Sequence, residues 1–284
     1  MKNKKSKISK AWFFLIPSFI GVCIFYIYPL LDVVRRSFVN CEGSEFVGID
    51  NYIEVFNNEA FQLAAVNTIR FILIGVPIIL IISLWIAVKI TYNVWLEKQL
   101  KHVLLLPMTI PVVSLIIIWR FLFENKGIIN GCLNIFGISG VKWLTTNASF
   151  YVLVLSFIWK NLGYCTIIWL VGLLAVPEEI YEAADIDGAG RITKFWYITI
   201  PNIIPTIVLQ IILGVINSFK VYREAYLIAG DYPADGIYML QHLFNNWFRE
   251  LEISKMATAA TINLIVITLL ALFVKKLGAV NYEK

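Results

Sequence analysis

The sequence predicts an all-α integral membrane protein with six transmembrane helices. Three observations carry that reading. Of the 284 residues, 59% are hydrophobic and only 15% are charged, whereas a soluble globular chain has roughly 45–50% and about 25%. Mean hydropathy is +0.76. The apolar residues also gather into six runs of the length that crosses a hydrocarbon core, about 20 residues for roughly 30 Å. The runs lack the alternation of a transmembrane barrel strand. In lipid, backbone polar groups have to be satisfied within each segment, so a helix is the physical solution. The composition excludes a soluble enzyme domain, a disordered chain and a disulfide-rich secreted module. The net charge of +5 does not mark a nucleic-acid binder, because the bases sit at the ends of apolar runs and form no stripe.

The first span is expected at Ala11–Leu31. Lys2, Lys4, Lys5, Lys7 and Lys10 precede it, as in a signal peptide. The run is too long for a typical h-region and lacks a small-residue cleavage site before Asp32, so it reads as a retained anchor. A loop, residues 32–63, follows. The second span is expected at Ala64–Val88, with Asn67 and Arg70 near its outer end. The third, Val103–Phe123, carries Pro107 and Pro111, which predict a kink at its start. Arg120 lies toward its outer end, and both arginines read first as interface anchors. The fourth span, Phe150–Leu174, is the most polar inside. The fifth, Ile203–Phe219, is short and has Pro205 near its start. The sixth, Met256–Val274, carries Thr258, Thr261 and Thr268, which read as packing residues.

An even number of spans puts both termini on one side, and positive loops mark the cytoplasm. With the termini inside, inner segments hold thirteen Lys and Arg and outer loops eight, while acidic residues number seven inside and twelve outside. This frame gives a cytoplasmic N-terminus with the first helix (1–31), an extracellular loop (32–63), a membrane core (64–274) with an inner loop (177–201), and a cytoplasmic tail (275–284). Cys41 and Cys132 fall outside and Cys23 and Cys165 in spans. Free thiols are favoured over a Cys41–Cys132 pair, since nothing in the sequence sets their distance.

The inner loop between spans four and five carries the strongest signal. Pro177 suits a first helical turn, and Glu178 and Glu179 favour the positive end of its dipole. Ile180, Ala183, Ala184 and Asp187 follow helical spacing, and Gly188 and Gly190 break it. A second short stretch carries Phe195, Trp196 and Ile198 to Pro201, expected to end it. The loop therefore reads as two short helices meeting at a glycine turn. Ala183, Ala184 and Ala189 permit close approach by another protein surface. The same residues also suit an amphipathic connector on the membrane interface, and physics alone leaves the two open.

Here the sequence resembles the permease subunits of bacterial ATP-binding-cassette importers. Their cytoplasmic motif is Glu-Ala-Ala, three residues, Gly, nine residues, Ile, one residue, Leu-Pro. This chain has Glu182, Ala183, Ala184, Gly188, Ile198 and Pro201 at those spacings, with Ile200 in place of Leu. The fuller form, intact from Glu182 to Ala189, is similar to the carbohydrate branch, for oligosaccharides and glycerol phosphate. Many sugar permeases carry Gly-Gly-Pro before the last span, and this chain has Gly230-Asp231-Tyr232-Pro233. The resemblance covers most of the chain. It implies a five-helix permease core behind a peripheral first helix, in a bacterial plasma membrane. It implies a coupling element made of Glu182, Ala183, Ala184, Asp187 and Gly188 that docks on a cytoplasmic ATPase. The implied partners are a second homologous permease, ATPase subunits and an extracellular solute-binding protein. The implied substrate is a sugar, moved by alternating access. No cofactor is implied for this chain, since ATP and magnesium would be used by the ATPase.

The residues fit that division of labour. The phosphate-cradling Gly-x-x-x-x-Gly-Lys-Ser/Thr pattern is absent from the chain, and Gly188 to Lys194 has the wrong spacing for it. No Ser-His-Asp or paired-carboxylate arrangement stands out within the spans, against a membrane enzyme. Polar groups inside a membrane often mark a pathway. In span four, Ser156, Lys160 and Tyr164 are four apart on one face, with Asn161 beside them. In span five, Gln210, Gly214 and Asn217 share a face, and amides bond sugar hydroxyls. The alternatives are a Lys160 that snorkels or pairs with a carboxylate, and a Gln210–Gly214 face that holds helices together. Trp159 and Tyr164 are the aromatic candidates for sugar stacking, and other aromatics suit interfacial belts. The outer loop from Lys220 to Lys255 reads as a docking surface for the binding protein or a lid. An anionic or peptide solute, suited by Lys160, is the second reading, and a membrane enzyme or scaffold the third. A secondary transporter is disfavoured, because no carboxylate is expected within the spans.

Overall fold

The computed structural model describes residues 14–91 and 103–280. The N-terminal lysines, the start of the first span, the basic loop residues Lys98 and Lys101, and residues 281–284 lie outside the described residues. The described residues are almost wholly helical, with a single isolated antiparallel bridge between Val39 and Phe46. In chain order the helices are α1 (Phe14–Arg36), α2 (Asp50–Asn57), α3 (Glu59–Thr91), α4 (Val103–Thr109), α5 (Val112–Phe123) and α6 (Ile128–Ile135). Then come α7 (Ser149–Leu174), α8 (Glu178–Ile186), α9 (191–202), α10 (Ile204–Lys220), α11 (Tyr222–Ala229), α12 (Leu240–Arg249) and α13 (Ile253–Val280). Five helical runs are long and apolar enough to cross a membrane alone, and α4 with α5–α6 makes a sixth if the bent pair counts as one span. The chain divides into two compact units, residues 14–61 with Phe244–Ile267, and the remainder.

In the first unit, α1 contributes no buried residue. The chain after it is tied by polar bonds. Asn51 Nδ2 donates to the Ser37 and Val39 carbonyls at 3.1 and 2.8 Å, and the Ser37 hydroxyl lies 2.7 Å from that of Tyr52. Lys255 pairs with Glu54 at 3.0 Å. Thr258 and Thr261 are buried, the packing role expected of them, and donate within their helix to the Ser254 and Ala257 carbonyls, whereas Thr268 is exposed and does not take that role.

The second unit is organised around α7, the most buried of the spans. Phe71 of α3 meets Phe150 and Phe157 of α7 edge to face, with centroids 6.3 and 5.3 Å apart. Such contacts favour the ring quadrupoles beyond simple burial. Polar groups are satisfied across helix pairs, as lipid demands. Trp169 Nε1 donates to Ser83 Oγ at 2.9 Å, joining α7 to α3, and Gln210 Nε2 donates to the Cys165 carbonyl at 2.6 Å, joining α10 to α7. Small residues bring the backbones together. A side chain at Gly163 would meet the Leu104 backbone of α4 with no room for its first carbon, and one at Gly214 would fall 2.8 Å from Val76 of α3.

The third span differs most from expectation. Its helix bends by 102° between α4 and α5. Pro111 stands at the N-terminal cap of α5 in an extended conformation, with ψ at 139°. The proline break falls where the sequence placed it, but it divides the span where a mild kink was expected. Two arginines, both exposed, also make contacts within this unit. Arg70 lies over the Phe150 ring at 4.3 Å, and Arg120 Nη2 donates to the Ile228 carbonyl at 3.1 Å. Both hold one core element to another.

The segment after α10 is not a loose outer loop. The helical run of span five continues to Tyr226, well past the expected end at Phe219. Beyond α11, Gly230 takes a positive φ of 78° and the chain turns back. Asn67 Nδ2 donates to the Asp235 and Tyr238 carbonyls, and the Leu240 N–H donates to Thr68. His242 is then buried between Tyr222 and Tyr238, and its Nδ1 accepts the Met239 N–H at 3.2 Å.

Two outcomes follow from this packing. Gly163→Val lowers stability by about 3 kcal/mol, because backbone cannot yield as a side chain can. Gly131→Ala, in open space, changes it by less than about 0.5 kcal/mol. Thermal melting of the detergent-solubilised protein compares the two. The second outcome concerns pH. Burial, opposed in part by Asp231, pushes His242 down from 6.5 to about 4. Below pH 6.5 the unfolded chain therefore takes up a proton that the folded chain refuses. Its contribution is full above that pH and falls on acidification toward pH 4, by at most about 1.4 kcal/mol per pH unit. His242→Gln removes that component when melting is compared across the same window.

Candidate functional site

Two places carry the residues singled out in the sequence. The first is a cavity of about 310 Å³ among α4, α7, α10 and α11. Met108, Phe157, Leu213 and Ile216 form apolar walls, and Lys160, Asn161, Tyr164, Asn217, Lys220 and Glu224 supply its polar groups. It falls at the small end of the roughly 300–1,000 Å³ seen for small-molecule pockets. Helical geometry explains the grouping. Lys160, Asn161 and Tyr164 lie on adjoining positions of α7, and Asn217, Lys220 and Glu224 recur at i, i+3 and i+7 along α10 and its continuation.

The charges in the cavity are ordered. Lys160 Nζ pairs with Glu224 Oε1 at 2.5 Å, and Glu224 is only 3% exposed. Lys220 Nζ donates to Asn217 Oδ1 at 2.9 Å in an exposed position, which leaves the Asn217 N–H₂ as a donor. Asn161 Nδ2 donates one of its two N–H groups to the Phe157 carbonyl at 2.9 Å, which leaves the other N–H and the Oδ1 acceptor. With the Tyr164 hydroxyl, the lining offers donors and acceptors at short intervals between apolar walls. Such a surface can bond a solute that carries hydroxyl groups and stack its apolar edges.

Four of the seven expected pathway residues thus come together: Lys160, Asn161, Tyr164 and Asn217. The other three stand apart from this cavity. Ser156 is fully buried in α7. Gln210 is fully buried with its amide on Cys165, and Gly214 lets α3 approach α10. Both serve the helix contacts that were the alternative for that face. Trp159 meets Trp119 edge to face at 6.1 Å and does not line the cavity. Glu224 corrects the expectation that the spans hold no carboxylate, since it lies in the continuous run Ile204–Tyr226. A signal for it was present. Gln210, Asn217 and Glu224 are seven apart, a helical recurrence that runs through the assumed loop boundary.

The second place is the turn between α8 and α9. Pro177 caps α8. At its other end, the Gly188 N–H bonds the Asp185 carbonyl at 3.0 Å and the Ala189 N–H bonds that of Ala184 at 2.9 Å. This is a Schellman closure, which needs a left-handed residue at the position after the cap. Gly188 supplies it with φ at 74°. Two side-chain bonds clasp the helices together. Lys194 Nζ pairs with Asp185 Oδ1 at 2.5 Å, and the Tyr181 and Thr199 hydroxyls lie 2.9 Å apart. Glu182, Ala183, Asp187 and Gly188 are exposed and Ala184 half-buried. Ile186 and Ile192 add apolar surface at 88% and 76% exposure. Pro201 does not end the second helix as expected. It sits in the first turn of a short run to Asn202, and the break comes at Ile203 with φ at −94° and ψ at 9°.

A third feature is a cavity of about 670 Å³ between the end of α5 and the turn after α11, lined by Arg120, Glu124, Asn125, Thr145 and Tyr232. Cys41 and Cys132 are exposed and Cys165 is buried.

Comparison with known proteins matches this arrangement. The chain is 32% identical, over 77% of its length and 73% of the relative's, to a sulfoquinovosyl glycerol transport system permease protein of Agrobacterium fabrum. It is 27% identical, over 87% and 85%, to a trehalose/maltose transport system permease protein of Thermococcus litoralis. It is 28% identical, over 96% and 90%, to an arabinooligosaccharides transport system permease protein of Bacillus subtilis. A solved bacterial transporter involved in importing the acidic polysaccharide alginate shares the fold, with a TM-score of 0.80 at 23% identity over 96% of this chain and 97% of that one. Residues 75–278, which hold the α7 packing, the cavity and the clasped turn, match the binding-protein-dependent transport system inner membrane component. The chain belongs to that family and is a multi-pass membrane permease subunit, a transport protein and not an enzyme.

Proposed function

We propose that this chain is a carbohydrate permease of an ATP-driven importer, and that the cavity at Lys160, Asn161, Tyr164 and Asn217 is its share of the solute passage. The observation that carries the reading is the cavity itself, where donors and acceptors alternate between apolar walls inside a bundle of membrane-length helices. The relatives named for trehalose/maltose and arabinooligosaccharides support a carbohydrate over a peptide. A second, homologous permease would supply the facing wall, and the exposed faces of α1 would meet that partner or lipid. An extracellular binding protein would deliver the solute toward the cavity beside Arg120 and Tyr232. Both termini would lie in the cytoplasm of a bacterial cell, as the excess of inner bases suggests.

The turn at Gly188 would then be the contact for a separate ATPase, which uses ATP and magnesium. It presents Glu182, Ala183, Ala184 and Asp187 on a rigid projection, held by its Schellman closure and two clasps. A projection of this stiffness can pass a displacement to the start of α10. Solute access would alternate as the ATPases close and open.

In the reconstituted assembly, Gly188→Val lowers solute uptake by about tenfold or more. A β-branched residue in a left-handed conformation costs roughly 1–2 kcal/mol, which unseats the turn. Glu182→Lys reverses the charge of the contact and lowers uptake and ATPase stimulation together. Normal coupling in correctly assembled variants would contradict the role given to this turn.

A further inference from the structure

The cavity places two lysines and one glutamate against a passage that, on the reading above, carries solute. Lys160 alone would make its interior an anion trap, because a charge in a partly dehydrated site acts far more strongly than in water. The geometry removes that charge. Lys160 Nζ lies 2.5 Å from Glu224 Oε1, and the carboxylate is almost wholly buried. Among the described residues no hydrogen-bond donor reaches Glu224 Oε2, so Lys160 is the group that holds this carboxylate. Lys220 is exposed, with its ammonium turned to Asn217.

We propose that Glu224 is a specificity-determining residue: by pairing with Lys160 it cancels the more buried of the two lysine charges that line the passage, and so shifts the passage away from acidic solutes toward uncharged polyhydroxyl ones. The inference rests on the cavity being the passage and goes beyond it, because a passage with the same lining but no Glu224 would favour anions. Glu224 acts through Lys160, as a positioning and charge-balancing group. Because Glu224 is buried, breaking one side of the pair leaves an uncompensated charge.

The test reads the charge directly and needs no knowledge of the solute. In the intact transporter carrying Asn217→Cys, modification rates are measured with an anionic reagent, sulfonatoethyl methanethiosulfonate, and a cationic one, trimethylammonioethyl methanethiosulfonate. Reaction of the native cysteines is subtracted with the parent chain. Adding Glu224→Gln raises the anion-to-cation rate ratio about tenfold, the scale a unit charge exerts over a few ångströms in a partly hydrated site. Adding Lys160→Gln lowers it by about the same factor, and the double variant returns it to within about twofold of the Asn217→Cys chain. Either single variant reads the pair if the other fails to assemble. A ratio unmoved by both single changes, in a thiol that does react, overturns the role of Glu224 and leaves the passage standing. A thiol that neither reagent reaches from either side overturns the passage itself.

Discussion

At Gly163 the backbone of α7 meets the backbone of α4 with no space for one added carbon. That contact typifies the constraint on the second unit. In lipid, apolar surface gains little by leaving its solvent, so close packing and internal hydrogen bonds have to hold the helices together. Helix α7 does this toward several neighbours at once. It meets α4 through Gly163, α3 through Trp169 and Ser83, α10 through Cys165 and Gln210, and α11 through Lys160 and Glu224. Each contact satisfies a polar group or shortens a backbone separation. The cavity is bounded by α4, α7, α10 and α11, so its position follows from the contacts around it.

The apolar runs were legible because lipid sets their length, and five of the six expected spans recur as continuous helices among the described residues, the fifth running seven residues past its expected end to Tyr226. What escaped was what tertiary bonds decide. Pro111 signalled a break, but how far the chain would turn depends on what α5 packs against: Leu115, Trp119 and Phe123 gather with Val152 of α7. Lys220, Arg223 and Glu224 read as the start of a loop, because three charges within five residues end an apolar run on hydropathy alone. The helix continues because Glu224 has Lys160 to meet and Ala225 and Ile237 join the core beside Phe71. Asn67 likewise shows no sign in the sequence of the carbonyls, about 170 residues distant, that it bonds.

The site was half legible for the same reason. Helical spacing grouped Ser156, Lys160 and Tyr164 with Asn161 beside them; the last three line one cavity, while Ser156, one turn earlier, is buried in the packing. It could not say that the Gln210–Gly214 part of α10 faces a helix while Asn217, one turn on, faces the cavity. The turn at Gly188 was the most legible feature, because its hydrogen bonds are local and its left-handed residue is a glycine. Function divides along the same line. On the function proposed above, the ATPase contact would be written in short-range geometry, and solute choice in a charge pair assembled from positions 64 residues apart.

Transport with the cavity filled shows most directly whether solute crosses there. Asn161→Trp places a bulky ring in the cavity and leaves the clasped turn unaltered. With the purified assembly in proteoliposomes, the account predicts that binding-protein-delivered sugar ceases to accumulate while stimulated ATP hydrolysis persists. Undiminished accumulation by a folded, assembled variant would show that solute crosses elsewhere, and would contradict the account.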